Sequence, residues 1–362
     1  MQSSTETLTD NGAKAGSKNR GGVGDIVGEM SDALELAIGR LRAVNAETKM
    51  LSLNATVEAA RAGSSGTAFG VVAREMQNLS DKTANIAKDM SGRNREITAE
   101  MTELIDSFRG TRLSDLALVN IDLIDRNLYE RTCDVRWWAT DGSVVDALAS
   151  PVTERLDFAC QRLGIILEAY TVYHDLVLCD SRGEIVANGR KSDYRSVGKN
   201  SRTTRWFRQA NASASGNEYG FESAHNNELV NDQPTLVYSC SVRRDGLAHG
   251  QRLGVLGAMF NWSELADPIL ANIPIEEHER DSTESYILDE NGCVLASSVG
   301  LNIGEKLPLP DFDKVVKSPK GFFTTKWKGN RVCIGHAKAP GFETYSTGWY
   351  SLIIQRWDEF NV

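Results

Sequence analysis

Four small residues, Gly63-Ser-Ser-Gly66, divide one long apolar repeat into two arms. Before them, residues recur at alternating spacings of four and three: Met30, Leu34, Ala37, Leu41, Val44, Thr48, Leu51 and Ala55. That spacing is the a/d seam of a coiled coil. Beyond the break the seam resumes at Phe69, Val72, Met76, Leu79, Thr83, Ile86 and Met90, then runs less cleanly through Ile97, Met101, Leu104 and Phe108. The slip near Arg93 reads as a local stutter. Glycine ends helices readily, so the pattern predicts two helices of about 40 residues, each about 60 Å long at 1.5 Å per residue. A lone hairpin buries only one stripe of each helix. Two copies are therefore expected to pair into an antiparallel four-helix bundle, making the chain a homodimer. The plainer alternative is a generic coiled-coil stalk.

The chain has 362 residues and a net charge of −9, with no basic block interleaved with aromatics, which argues against nucleic acid as a partner. No apolar run reaches the roughly 20 residues that cross a bilayer. The polar start, Met1-Gln-Ser-Ser-Thr-Glu-Thr, lacks the apolar core of a signal peptide. A cytoplasmic location without a membrane span is the expectation, with residues 1–23 disordered. The six cysteines (Cys133, Cys160, Cys179, Cys240, Cys293, Cys333) form no CxxC pair, and the five histidines are dispersed without ligand spacing. No P-loop, HExxH or GxSxG is present, so neither catalysis nor a metal or other cofactor is expected.

After the hairpin, residues 24–110, Gly110-Thr-Arg reads as a break, followed by a new helix from Leu113 to Trp138. A further helix is expected from about Val152 to Ala169. The periodicity then turns strand-like. Asp175–Ala187 is a β-branched run, an Asp-Ser-Arg-Gly turn and a second run, which predicts a hairpin. The theme recurs at Ser285–Ser297, and both repeats close on strands, Gly254–Phe260 and Trp349–Gln355. The fold class is thus α+β: a helical hairpin, a long helix, then two α/β modules at about 170–270 and 282–357.

The stretches Leu53–Gly63 (LNATVEAARAG) and Ala68–Ser80 (AFGVVAREMQNLS) resemble the hairpin tip of bacterial methyl-accepting chemotaxis proteins. In that family the tip docks a histidine kinase and its coupling protein. The resemblance implies partner contacts at Leu51, Asn54, Glu58, Arg61, Val71 and Val72. Glu58 and Arg61, three apart, share a helix face, and the bland reading of them is a surface ion pair. The tip departs from the family at Ser64, Ser65 and Thr67 in the turn, at Ala46 where an aromatic usually stands, and at Lys49. These departures bear on the contact that gathers dimers into trimers. The arms lack adjacent Glu/Gln pairs, so carboxyl methylation is not expected.

Residues 111–357 resemble, in architecture, a double Cache sensor: two PAS-like modules along one helix. Such a sensor implies a small-molecule ligand. Arg202, Arg205, Trp206 and Phe207 would lie over the first module, with Tyr219, Tyr238 and Asn261 as polar lining. The arginines suit a carboxylate or phosphate. The alternative is that the arginines are solvated and the aromatics are core. Thr204, Phe221, Ser223 and Ala258 stand where the amino-acid-binding subfamily has the groups that hold an amino acid's charged ends, so free amino acids are not expected as ligands. The whole implies a cytoplasmic chemoreceptor-like transducer. The alternative is a ligand-binding dimerisation protein with a vestigial hairpin.

Overall fold

A computed structural model describes residues 23–356 of the chain. The disorder expected for residues 1–23 thus falls almost wholly outside the described residues; Val23 already opens helix α1 (Val23–Arg61). A single 3-10 turn, Gly63–Gly66, leads into helix α2 (Thr67–Trp138). The chain forms two compact units, one ending at Phe108 and the other beginning at Arg109.

In the first unit the arms meet along a stripe of small and polar residues. Ile38 and Ser52 of α1 and Ala73, Ser80, Ala87, Ser91 and Asn94 of α2 are buried. Side chains bridge the stripe. Asn45 Nδ2 donates to Ser80 O at 2.9 Å, Ser80 Oγ to Asn45 O at 3.2 Å, and Ser91 Oγ to Glu35 Oε1 at 2.9 Å. Asn94 Nδ2 donates to Ser31 Oγ at 3.1 Å. The large apolar seam lies outside this stripe: Met30, Leu41, Val44, Leu51, Phe69, Val72, Leu79, Ile86 and Phe108 are exposed. The residues of the heptad spacing therefore do not join the two arms of one chain; they face outward.

The helix break expected at Gly110 is absent, since α2 passes through it. A glycine costs a helix only about 1 kcal/mol relative to alanine. Here its missing side chain is filled from elsewhere: a Cβ at Gly110 would overlap the Phe322 ring. Nearby, Arg112 pairs with Glu279 at 3.0 Å and Lys320 pairs with Asp115. Packing outweighs the local propensity.

The second unit continues with α3 (Gly142–Ala149), capped by Asp141, and α4 (Thr153–Ala169). Then come β1 (Tyr173–Asp180), β2 (Ile185–Asn188), α5 (Arg205–Ala212), β3 (Tyr219–Asn227), β4 (Gln233–Arg243) and β5 (Arg252–Asn261). Helices α6 (Trp262–Ala271) and α7 (Glu277–Arg280) precede β6 (Thr283–Leu288) and β7 (Val294–Ser297). Helix α8 (Phe312–Lys317), β8 (Lys320–Trp327), β9 (Asn330–Lys338) and β10 (Tyr350–Arg356) complete it. Each module is a five-stranded antiparallel sheet, ordered β2-β1-β5-β4-β3 and β7-β6-β10-β9-β8. The second order repeats the first, strand for strand.

The repeated hairpins share one turn chemistry. Asp180 Oδ1 accepts from the amides of Arg182 and Glu184, both at 2.9 Å, while Gly183 takes φ +88°. Asp289 Oδ1 accepts from Asn291 and Cys293, at 2.9 and 2.8 Å, with Gly292 at φ +80°. Aspartate ties the loop and glycine supplies the left-handed residue.

Leu113, Ala117, Ile121, Ile124, Leu128, Val135 and Trp138 of α2 are buried in a core shared with Leu176, Tyr238, Ala258, Cys333 and Ile353. One α2 carboxylate anchors the β9–β10 loop. Asp125 accepts from Gly341 N (3.0 Å), Thr347 N (3.3 Å) and Thr347 Oγ1 (2.7 Å). Burial raises its carboxyl above the ordinary range, against the pull of those hydrogen bonds.

Candidate functional site

The hairpin tip is built by close approach. Gly66 is buried, and a Cβ there would strike the Ala59 carbonyl, so only glycine lets the turn fold back on α1. Around it the residues expected to meet partners are open. Leu51 is 60% exposed, Val71 54% and Val72 57%, and Asn54 is also exposed. Arg61 Nη1 donates to Glu58 Oε1 at 2.7 Å, forming the i,i+3 ion pair of the plainer reading. Both side chains remain about seventy per cent solvent-accessible, at 74% and 67%, so the pair contributes little to stability and leaves both groups presentable.

The structure does not bring the expected sensor lining together. Trp206 and Phe207 are 1% and 2% exposed and pack with Val177, Ile185, Val237, Val255 and Met259 on the α5 side of the first sheet. Tyr238, adjacent to Val237 on β4, points to the opposite side, into the core shared with α2. Its hydroxyl lies 2.7 Å from that of Tyr345. Tyr219 is 36% exposed and stands 6.5 Å from the Tyr238 ring. Asn261 caps α6, accepting from Glu264 N at 3.4 Å. Arg202 and Arg205 are exposed, Arg205 on the first turn of α5. Thr204 is the α5 cap, its Oγ1 accepting from Phe207 N at 3.4 Å.

Strand alternation also corrects the argument from missing acidic groups. Phe221 packs against Tyr238, ring centroids 5.1 Å apart and tilted by 45°, and Ala258 is fully buried in the same core, so both face α2 rather than α5. The neighbour of Phe221, Glu222, reaches the α5 side, where its Oε2 accepts from Trp206 N at 3.2 Å. Motif matching along the sequence misses that acidic group. The two-residue period of β3, counted from Phe221, is the signal that finds it.

Known proteins resemble different stretches of the chain. Residues 4–117 match the family described as the methyl-accepting chemotaxis protein (MCP) signalling domain. A chemotaxis protein of Paramagnetospirillum magneticum, Amb0994, is 42% identical over 65 residues, covering 17% of this chain and 15% of that protein. Methyl-accepting chemotaxis protein IV of Escherichia coli is 52% identical over 46 residues, covering 13% and 9%. The matched stretch is thus a small part of either relative. Among solved structures, the ligand-binding domain of the Campylobacter jejuni chemoreceptor Tlp3, in complex with 4-methylisoleucine, aligns with TM-score 0.52 at 15% identity. It covers 67% of this chain and 89% of that domain. The sensor domain of the Vibrio cholerae histidine kinase DctB aligns with TM-score 0.52 at 14% identity, over 72% of this chain and all of that domain. At such identity the likeness establishes the fold alone, a Cache-like one. No helix among the described residues is long and apolar enough to cross a membrane. Residues 4–117, under a third of the chain, are thus similar to the methyl-accepting chemotaxis protein signalling domain.

Proposed function

We propose that this protein is a chemoreceptor-like transducer whose hairpin tip regulates a chemotaxis histidine kinase together with its coupling protein. The observation that carries the reading is the tip itself: family-matching residues held on a tight turn with Glu58, Arg61, Val71 and Val72 exposed. Arginine suits such a surface because its planar fork meets a carboxylate bidentately while its stem packs. The outward seam supports a homodimer, in which two hairpins close a four-helix bundle. The sensor half would bind a small molecule and bias the bundle, a population shift of about 1–3 kcal/mol. On this reading the hairpin works in the cytoplasm beside its kinase, as a transducer rather than a catalyst. The test is reconstitution of the full chain with a chemotaxis kinase and coupling protein, reading co-sedimentation and kinase autophosphorylation. A complex with altered phosphorylation supports the proposal; neither binding nor a change in phosphorylation overturns it.

A further inference from the structure

A cleft of about 310 Å³ opens at one end of the first sheet, between the last turn of α2, the segment before β3 and the β4–β5 turn. No residue of α5 and none of the arginines of that region lines it. Its lining contains two arginines, Arg136 and Arg243, and no aspartate or glutamate. Arg243 is only 8% exposed, yet all its hydrogen bonds go to neutral acceptors: Ser241 Oγ at 3.0 Å, Gly250 O at 3.1 Å and Ser213 O at 2.7 Å. Arg136 donates from Nε to Thr132 O at 2.8 Å. Its terminal nitrogens make only long contacts, 3.4 Å each, to Asn217 O, Thr132 Oγ1 and Cys133 Sγ. Neither arginine joins an ion pair among the described residues.

A guanidinium cannot shed its charge at physiological pH. Burying one without a counter-charge costs several kcal/mol, which is why buried charges are normally paired. Here two cations converge on one cleft whose lining supplies no carboxylate. Arg243 keeps free N–H donors, since a guanidinium has about five and three are engaged here. Trp137, 68% exposed, forms an aromatic wall beside them. The volume lies at the small end of ligand pockets, about 300–1,000 Å³.

We propose that this cleft binds a small organic carboxylate bearing an apolar group. The carboxylate would sit between Arg136 and Arg243, and the apolar body would lie on Trp137. Charge-assisted, forked hydrogen bonds from arginine are the strong way to hold a carboxylate. The assignment supplies a ligand class to the sensor reading and rests on it, but it is tested by binding alone, with no kinase present. Failure to engage a kinase would therefore leave it standing, and failure to bind would leave the kinase proposal standing.

Isothermal titration of the full chain with benzoate, phenylacetate and hexanoate tests it, with benzamide as the neutral analogue and inorganic phosphate as the bare anion. At least one carboxylate should bind saturably at one site per chain, more tightly than about 1 mM. Benzamide and phosphate should each bind at least about tenfold more weakly. Arg136→Gln and Trp137→Ala, both at accessible positions, should each weaken that carboxylate at least about tenfold, while the surface control Arg182→Gln leaves it unchanged. Arg243→Gln endangers folding, so the first two variants decide the outcome. Absence of saturable heat from all three carboxylates, binding no stronger than that of benzamide or phosphate, or affinity unchanged in both variants would overturn the proposal.

Discussion

Replacing Leu79 and Ile86 together by aspartate tests whether the outward seam is the core of a dimer. In a single chain these side chains are 63% and 57% exposed, so as surface positions each substitution should alter hairpin stability by no more than about 0.5 kcal/mol. In a four-helix bundle they become interior. Burying a leucine or isoleucine contributes about 1.5–3 kcal/mol. Two positions in two copies therefore remove about 6–12 kcal/mol of association energy, before any penalty for buried carboxylates. At 1.4 kcal/mol per decade, that weakens association more than about ten-thousandfold. Light scattering coupled to gel filtration at about 10 μM should find a dimer for the native chain and a monomer for the double variant. Circular dichroism should change little, because the Asn45–Ser80 contacts within each hairpin are untouched. A native monomer at that concentration, or a double variant that stays dimeric, would refute the reasoning.

Three further outcomes follow from particular contacts. Arg61→Glu reverses one exposed charge and should abolish capture of the coupling protein in a pull-down while leaving helicity intact; unchanged capture would make the hairpin a stalk. Asp125→Ala strands the amides of Gly341 and Thr347 and the Thr347 hydroxyl, and should destabilise the second unit by about 2–4 kcal/mol, read as a melting shift of about 5–15 °C. His336 is buried, its Nδ1 lacks a partner, and burial holds its pKa below the ordinary histidine value. The unfolded chain then takes up a proton below about pH 6.5 that the folded chain resists, so this histidine lowers stability as pH falls. His336→Leu should accordingly gain in melting temperature over the native chain between pH 7.5 and 5, whereas a gap that does not change with pH would contradict the assignment.

What the sequence conveyed best was anything set by local chemistry. The Gly63–Gly66 turn and the two Asp-x-x-Gly hairpins each rest on residues a few positions apart, and each is present. What it conveyed poorly depended on distant partners. Gly110 reads as a helix breaker until Phe322, far along the chain, fills the space beside it. Trp206 and Tyr238 read as one pocket because both are aromatic and near module one, yet opposite sides of a sheet separate them. The face of each β4 residue follows from a period of two, but which face α5 covers does not. The Arg136–Arg243 cleft was invisible for the same reason: nothing in either local sequence announces the other arginine.

The hairpin divides its labour in a way that bears on signalling. Its internal stripe is small and polar, and a neutral hydrogen bond nets only about 0.5–1.5 kcal/mol, so contacts such as Asn45–Ser80 add little energy. They add register instead, since sliding one arm by a turn would bury Asn45, Ser80 and Asn94 without their partners, at about 1–3 kcal/mol each. In the proposed dimer the energy would be held in the apolar seam, which is non-directional. Two hairpins joined through such a seam can therefore shift against each other at modest cost while each keeps its arms in register. A stimulus worth only a few kcal/mol is then enough to redistribute packing between copies without unfolding either one.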